Sequence, residues 1–265
     1  MIELRRAEGA PVLRIGHRGA AHLAPENTIR SLRAAVEHGM DLVEFDVLDL
    51  TRGPLVLAHS DHLVEVSHGA ATGSVRARSL DELREVAPEL PTLDEALAFF
   101  VDEAPETGLH VDLKLQTRLD ELVTALRRHG LERRTVVSSF HAPSLHAVAR
   151  DARGVRIGFT YPEDRLGVSR RRALQPLVGL GLSSARAVVP RLLPRMIARA
   201  GATALMLQHR LATPRAVARA HAAGAPVLAW TVDNIRDLER VLAAGVDGVI
   251  TNDPRIFEVA ARLSS

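Results

Sequence analysis

The chain has 265 residues, 46% of them hydrophobic, enough for one large core or two small ones, and its 34 basic and 32 acidic side chains nearly balance at a net charge of +2. With no cysteine it can form no disulfide, thiolate zinc site or cysteine nucleophile, so a metal would have to be held by carboxylate or imidazole. Aromatic residues make up 3% of the chain, too few for the stacking surface of a single-strand binder, and nucleic acid is not an expected partner.

Residues 1–14 carry early charges (Glu3, Arg5, Arg6, Glu8) and lack the apolar centre of a signal peptide. No run approaches the roughly 18 to 20 apolar residues of a membrane span, so a soluble, cytoplasmic protein is expected. The first strand is predicted over 12–16 and runs into His17-Arg18-Gly19. A helix follows, capped by Asn27 or Thr28, with Ile29, Leu32 and Val36 on one face and Gly39 just past its end. Apolar, β-branched runs then alternate with helical periodicity to the end of the chain. They predict strands over 42–47, 55–58, 109–114, 135–139, 155–160, 204–207, 227–231 and 248–251, and helices over 80–86, 92–101, 119–129, 144–149, 214–222 and 234–243. The Gly/Ala/Ser-rich stretch 69–74 reads as a loop. With no linker or low-complexity segment, one domain over 1–265 is expected.

Alternating strands and helices of this kind form βα units around a parallel sheet. The link between 47 and 55 is too short for a crossover helix, and Thr51-Arg52-Gly53 suits a hairpin turn, so the strand at 55–58 should return antiparallel. A turn centred near Arg52 and Gly53 would set His59 opposite Asp46. Without the return strand eight parallel strands remain, the number that closes a (β/α)₈ TIM barrel.

Charge is spread unevenly along this pattern. Of the 32 acids, 26 precede Arg165, and none falls between Arg165 and Val232, where 11 arginines lie. Such a stretch is either a set of solvated helix faces or a positive field for an anionic substrate or lipid surface.

The chemistry-bearing residues gather at predicted strand ends. Glu44 and Asp46 are two apart and share a face, with Cα atoms roughly 6 to 7 Å apart, a spacing that suits Mg²⁺ or Ca²⁺. Asp112 adds a third acid, and Lys114 beside it is the one lysine among 34 basic residues. His17, Arg18 and, through the hairpin, His59 reach the same C-terminal rim, where barrels of this kind carry their sites. This set fits phosphodiester hydrolysis. A cation and the basic side chains Arg18 and Lys114 can stabilise phosphate charge, one histidine can take up a proton, and the other can protonate a poor alkoxide leaving group. Other residues stay open: Glu26 orients Arg18 or favours a helix N-terminus, Phe140 and Trp230 line a pocket or pack in the core, and Asn252 and Asp253 reach the site or form a turn.

Ile15-Gly16-His17-Arg18-Gly19, Ala24-Pro25-Glu26-Asn27-Thr28 and Glu44-Phe45-Asp46 together resemble the opening signature of the glycerophosphodiester phosphodiesterase family. Leu55 to His59, Pro91 to Ala96, Ser139-Phe140, Ala229 to Val232 and Gly245 to Pro254 agree with it. The resemblance implies His17 and His59 as the acid/base pair, Glu44, Asp46 and Asp112 as ligands of Mg²⁺, Ca²⁺ or Mn²⁺, Arg18 and Lys114 on the phosphate, and Trp230 near the glycerol or headgroup. It implies hydrolysis of glycerophosphodiesters to sn-glycerol 3-phosphate and an alcohol, within lipid and glycerol metabolism. Three departures stand out: Asp112 where the family usually has glutamate, Ser60 where an aspartate normally follows the second histidine (Asp61 comes one place later), and a segment 62–68 without the usual Arg-Thr-Thr pattern. Two alternative functions are a lysophospholipase D, suggested by the arginines from Arg165 to Arg219 and the apolar stretch from Leu174 to Leu182, and a non-catalytic phosphodiester-binding barrel. Membrane-surface contact is not expected, and oligomeric state is not legible.

Overall fold

Nine strands form one sheet in the computed structural model, which describes residues 2–7, 9–162 and 175–264. They are β1 (Leu13–Gly16), β2 (Leu42–Asp49), β3 (Leu55–Leu57), β4 (Gly108–Leu113), β5 (Thr135–Ser139), β6 (Arg156–Tyr161), β7 (Ala204–Gln208), β8 (Val227–Trp230) and β9 (Gly248–Thr251). The sheet runs in the order β1-β9-β8-β7-β6-β5-β4-β2-β3, and β1 also pairs with β2, so eight parallel strands close into a ring. β3 lies outside the ring, antiparallel on β2. The fold is therefore the expected (β/α)₈ barrel with one extra return strand. Strands such as β2 and β4 are buried along almost their whole length, as near-continuous apolar runs require when both faces of a sheet are covered.

The hairpin register corrects one expectation. Val47 faces Leu57, Leu48 faces Val56 and Asp49 faces Leu55, so the turn centres on Arg52 alone, half a residue earlier than expected. Continued upward, this register sets Ala58, not His59, opposite Asp46. His59 lies beyond the paired segment and reaches the rim from the loop that follows.

The helices are α1 (Ile29–Glu37), α2 (Leu63–Val66), α3 (Leu80–Val86), α4 (Leu93–Asp102), α5 (Leu119–Arg128), α6 (Ala142–Asp151), α7 (Gln175–Ala200), α8 (Pro214–Ala222), α9 (Ile235–Ala243) and α10 (Arg255–Ser264). Thr28 is the cap of α1: its hydroxyl accepts from Ser31 N, and Ser31 Oγ accepts from Thr28 N. The same reciprocal box starts α3 (Ser79, Glu82) and α4 (Thr92, Glu95), satisfying amide groups that the first helical turn leaves unpaired. α2, α7 and α10 were not anticipated. α2 is too short to show a 3.6-residue period, and Pro190 and Pro194 inside α7 read in sequence as breaks. The arginine-rich stretch that begins at Arg165 and the apolar stretch that begins at Leu174 both start outside the described residues. Among the described residues no helix is long and apolar enough to cross a membrane.

The lower part of the barrel interior is apolar. Ile15, Leu42, Val136, Ala204, Met206, Leu228 and Ile250 pack there with Leu4, and Ile2 joins them from the N-terminal segment. Gly108 is needed for this plug, since a Cβ there would lie 2.5 Å from Ile2 Cδ1 and 2.9 Å from Leu42 Cγ. Above this layer, at the C-terminal ends of the strands, the interior turns polar.

Candidate active site

The turn after β1 explains why His17-Arg18-Gly19 appears as a unit. His17 N donates to Thr251 O (2.7 Å), which continues the ladder to β9. Arg18 then adopts φ +51° and Gly19 φ +84°, and a Cβ on Gly19 would lie inside the backbone of Ser31. The chain thereby folds back over β2. Arg18 N donates to Glu44 Oε2 (2.7 Å) and Gly19 N to Glu44 O (3.0 Å). Left-handed backbone at a non-glycine residue costs of order 1 to 3 kcal/mol, and here two amide bonds to Glu44 hold it in place.

Glu44 and Asp46 point inward from β2, and the parallel register sets Asp112 of β4 directly beside Asp46. One carboxylate oxygen from each of the three lies within 4.8 Å of the others. All three are buried, with exposures of 4%, 1% and 6%. Two cations face them. Lys114 Nζ bonds Asp112 Oδ2 and stands 3.0 Å from Asp46 Oδ1. Arg18 Nε is 3.2 Å from Asp46 Oδ2, while its Nη1 donates to Glu26 Oε1 (2.8 Å). Glu26 thus orients Arg18, the first of its two expected roles.

Charge is shared unequally. Burial favours the neutral form of Asp46, but Lys114, Arg18, His59 and a hydrogen bond from Asn27 outweigh it and hold the carboxyl far below its usual range. Lys114 and Arg18 are raised in turn, against burial, by the same carboxylates. Glu44 receives the surplus. Burial first, then the charges of Asp46 and Asp112, push it well above the ordinary carboxylate range. Three buried oxygen donors, one of them poorly compensated, fit a divalent cation.

Both histidines reach this cluster. His17 Nδ1 lies 2.7 Å from Asn252 Oδ1, and Asn252 Nδ2 donates to Asp233 Oδ2 at 2.7 Å. Because the amide nitrogen is engaged by a carboxylate, the amide oxygen must face His17, so Nδ1 carries the proton and Nε2 keeps its lone pair. Nε2 lies 4.0 Å from Glu44 Oε2. Burial, then the Arg18 charge, lowers His17 to about 3, so the ring is neutral near pH 7. His59 is lowered by burial, with Arg18 and Lys114 adding to the effect and Asp46 opposing it. Its Nδ1 lies 3.4 Å from Glu65 Oε2.

The three carboxylates, Arg18, Lys114 and the two histidines line a cavity of about 500 Å³ that also takes in Phe140, Thr160 and Trp230. Trp230 meets Phe140 edge-on, with ring centroids 6.2 Å apart, and its Nε1 is buried without a hydrogen-bond partner among the described residues. All eight residues singled out in the sequence, His17, Arg18, Glu44, Asp46, His59, Asp112, Lys114 and Trp230, thus meet in one space. Several of their supports escaped the sequence. Asn27 spans Asp46, donating to Oδ2 (2.9 Å) and accepting from Asp46 N (3.0 Å). Ser138 and Thr160 donate to Asp112 Oδ1 from β5 and β6, and Ser138 Oγ also lies 2.8 Å from His110 Nε2. Hydroxyls at the inward-facing ends of predicted strands were the available signal for Ser138 and Thr160. Asp233 and Glu65, on loop and short helix, offered none. Asn252 reaches the site, whereas Asp253 pairs with Arg255 in the turn.

The chain is 28% identical over 256 residues to the glycerophosphodiester phosphodiesterase of Caldanaerobacter subterraneus subsp. tengcongensis, covering 91% of this chain and 93% of that protein. A crystal structure from Silicibacter pomeroyi, 25% identical, superposes with a TM-score of 0.78 over 98% of this chain and 96% of its own. A phosphodiesterase from Oleispira antarctica, solved in complex with the product sn-glycerol-3-phosphate, shares the fold at 22% identity and a TM-score of 0.70, covering 94% and 96% of the two chains. The sequence profile of the glycerophosphoryl diester phosphodiesterase family matches residues 17–256, and the protein belongs to that family.

Proposed function

We propose that residues 1–265 form a single phosphodiesterase domain that hydrolyses a glycerophosphodiester to sn-glycerol 3-phosphate and an alcohol. The observation that carries this reading is the meeting of three buried carboxylates, two cations and two histidines in one cavity at the barrel's C-terminal rim. The relatives named for this activity, and the product held by the Oleispira antarctica protein, support it.

Glu44, Asp46 and Asp112 would hold a divalent cation, Mg²⁺ or Ca²⁺ with Mn²⁺ also suited, and when bound it would offset phosphate charge and polarise an oxygen nucleophile. Arg18 and Lys114 would set two further positive charges against the phosphate's non-bridging oxygens. His17 is neutral with a free Nε2, the form of a general base, and it accepts the proton of the attacking water as the new P–O bond forms. His59 in its protonated form gives its proton to the alkoxide oxygen as the old P–O bond breaks. The negative charge of the incoming phosphodiester favours that protonated form. Trp230 Nε1–H, lacking a partner among the described residues, is available to a glycerol or headgroup oxygen.

Release of the free choline or ethanolamine from glycerophosphocholine, glycerophosphoethanolamine and lysophosphatidylcholine, with glycerol 3-phosphate as the second product of the first two and lysophosphatidic acid that of the third, each with and without chelator, tests the reading. Cation-dependent turnover of the first two is expected. Binding without turnover would leave a phosphodiester-binding barrel, and a preference for the lysolipid would make the enzyme a lysophospholipase D.

A further inference from the structure

His59 follows β3 and belongs to no strand, so the barrel ladder does not fix its ring. The acid nearest to it in sequence, Asp61, is engaged elsewhere. Ser74 Oγ donates to both Asp61 oxygens (2.8 and 2.9 Å) and Arg76 N to Oδ1 (2.7 Å), which ties the loop to residues 74–76. Glu65, from the turn of α2, takes the place beside the histidine. Its Oε2 lies 3.4 Å from His59 Nδ1 and accepts the Ser60 hydroxyl at 2.7 Å. Ser60 Oγ in turn accepts from His62 N at 3.2 Å. α2 itself is anchored, since Leu63 is fully buried and its amide donates to Gly73 O at 2.9 Å.

We propose that Glu65 is the positioning residue of His59, clamped in place by Ser60. Glu65 accepts Nδ1–H, which leaves Nε2 for the cavity and balances the imidazolium charge while Nε2 carries the proton. When the P–O bond breaks, Nε2–H passes to the alkoxide oxygen, Nδ1 keeps its hydrogen, and Glu65 stays ionised throughout. A carboxylate both orients the ring and stabilises its charged form, whereas an amide could only orient it. The pair Ser60 and Glu65 thus supplies, from one helical turn onward, a carboxylate that the residue following His59 does not provide. The proposal rests on reading His59 as the proton donor.

A leaving group that departs without a proton separates this role from a structural one. The experiment compares Glu65→Gln, Ser60→Ala and His59→Ala on glycerophosphocholine and on the p-nitrophenyl ester of glycerol 3-phosphate, at saturating Mg²⁺, with thermal melts of each variant. On the choline diester Glu65→Gln should lower kcat by about 10- to 100-fold with KM within about twofold. The loss on the p-nitrophenyl ester should be smaller by about tenfold or more, since p-nitrophenolate needs little acid catalysis. Ser60→Ala should repeat the pattern more weakly, and because it keeps the carboxylate it carries the test if Glu65→Gln does not fold. Losses of equal size on both substrates, or losses confined to KM, would overturn the assignment of Glu65. If His59→Ala itself loses equally on both, the proton-donor reading fails; if His59→Ala is selective and Glu65→Gln is not, only the role of Glu65 fails.

Discussion

The proposed catalytic cavity has two sides built on different backbone. Glu44, Asp46 and Asp112 leave strands paired on both edges, and none is more than 6% exposed. His59 and Glu65 stand on the segment after β3, their side chains 25% and 23% exposed, joined by one 3.4 Å contact. A strand end in a closed barrel cannot shift without breaking ladder hydrogen bonds on both sides, so like charges can be held together there at a fixed cost. A loop can adjust, which suits a group that must meet a leaving oxygen as its bond lengthens. In this reading the fold separates charge placement, which needs rigidity, from proton delivery, which needs reach.

The strand-borne side should therefore be the less forgiving. Glu44→Gln keeps the shape but removes the donor with the greatest surplus of negative charge, and should lower kcat by about 10²- to 10³-fold. Chelation should abolish activity, with Mg²⁺, Mn²⁺ or Ca²⁺ restoring it. A cation that binds only the folded protein also raises its melting temperature, and that shift should shrink in Glu44→Gln. Full activity after exhaustive chelation, or an undiminished thermal shift in the variant, would break the comparison at its rigid end.

Next come the histidines. His17→Ala and His59→Ala should each lower kcat by about 10²-fold with the fold intact, measured by steady-state kinetics alongside circular dichroism. Near-wild-type turnover in either variant removes that residue from the chemistry. The two should differ in their supports. His17 hangs on Asn252 and Asp233 through contacts of 2.7 Å each, so Asn252→Ala should also cost activity by freeing the ring and its tautomer.

The strand-borne side was the more legible in sequence, and for the same reason. Strand periodicity puts Glu44 and Asp46 on one face, and parallel pairing brings Asp112 beside them, so alternation and strand order were enough to assemble the acidic cluster. The eight-strand barrel followed from counting strands and setting the short hairpin aside. The hairpin side resisted because its geometry depends on single residues. A turn centred half a residue earlier than expected gives a register that, continued past the last pair at Val47 and Leu57, sets Ala58 and not His59 opposite Asp46, and neither hydrophobic pattern nor turn chemistry separates the two registers. α2 spans one turn and leaves no periodic trace, so Glu65 had nothing to mark it. The departure at Asp112 became intelligible only with the neighbours in place: the hydroxyls of Ser138 and Thr160 meet its Oδ1 while Lys114 bonds its Oδ2, so the shorter carboxylate is held from both sides.

Lys114→Arg tests how tightly the rigid side is packed. The ammonium fits between Asp46 and Asp112, 5.6 Å from the centre of the Phe140 ring, with its side chain 15% exposed. A guanidinium carries the same charge but is planar and wider, and it binds carboxylates as a fork rather than a point. A fall of about tenfold or more in kcat is expected. Unchanged kcat and KM would mean that this part of the cavity requires charge alone.

The smallest effect is expected at Trp230, which ends β8 and belongs to the rigid side although it carries no charge. Its Nε1–H is buried without a partner among the described residues, and a buried donor left unsatisfied costs about 1 to 3 kcal/mol. Trp230→Phe keeps an aromatic ring against Phe140 but deletes the donor. If the indole N–H meets a substrate oxygen, KM should rise about two- to tenfold, the worth of one net hydrogen bond of about 0.5 to 1.5 kcal/mol, while kcat stays close to wild type. The free protein should at the same time melt no lower, because the variant has lost an unpaired polar group and little packing. A drop in kcat at constant KM would instead place Trp230 in the chemical step, and the line between rigid binding and adjustable proton transfer would have to be redrawn through β8.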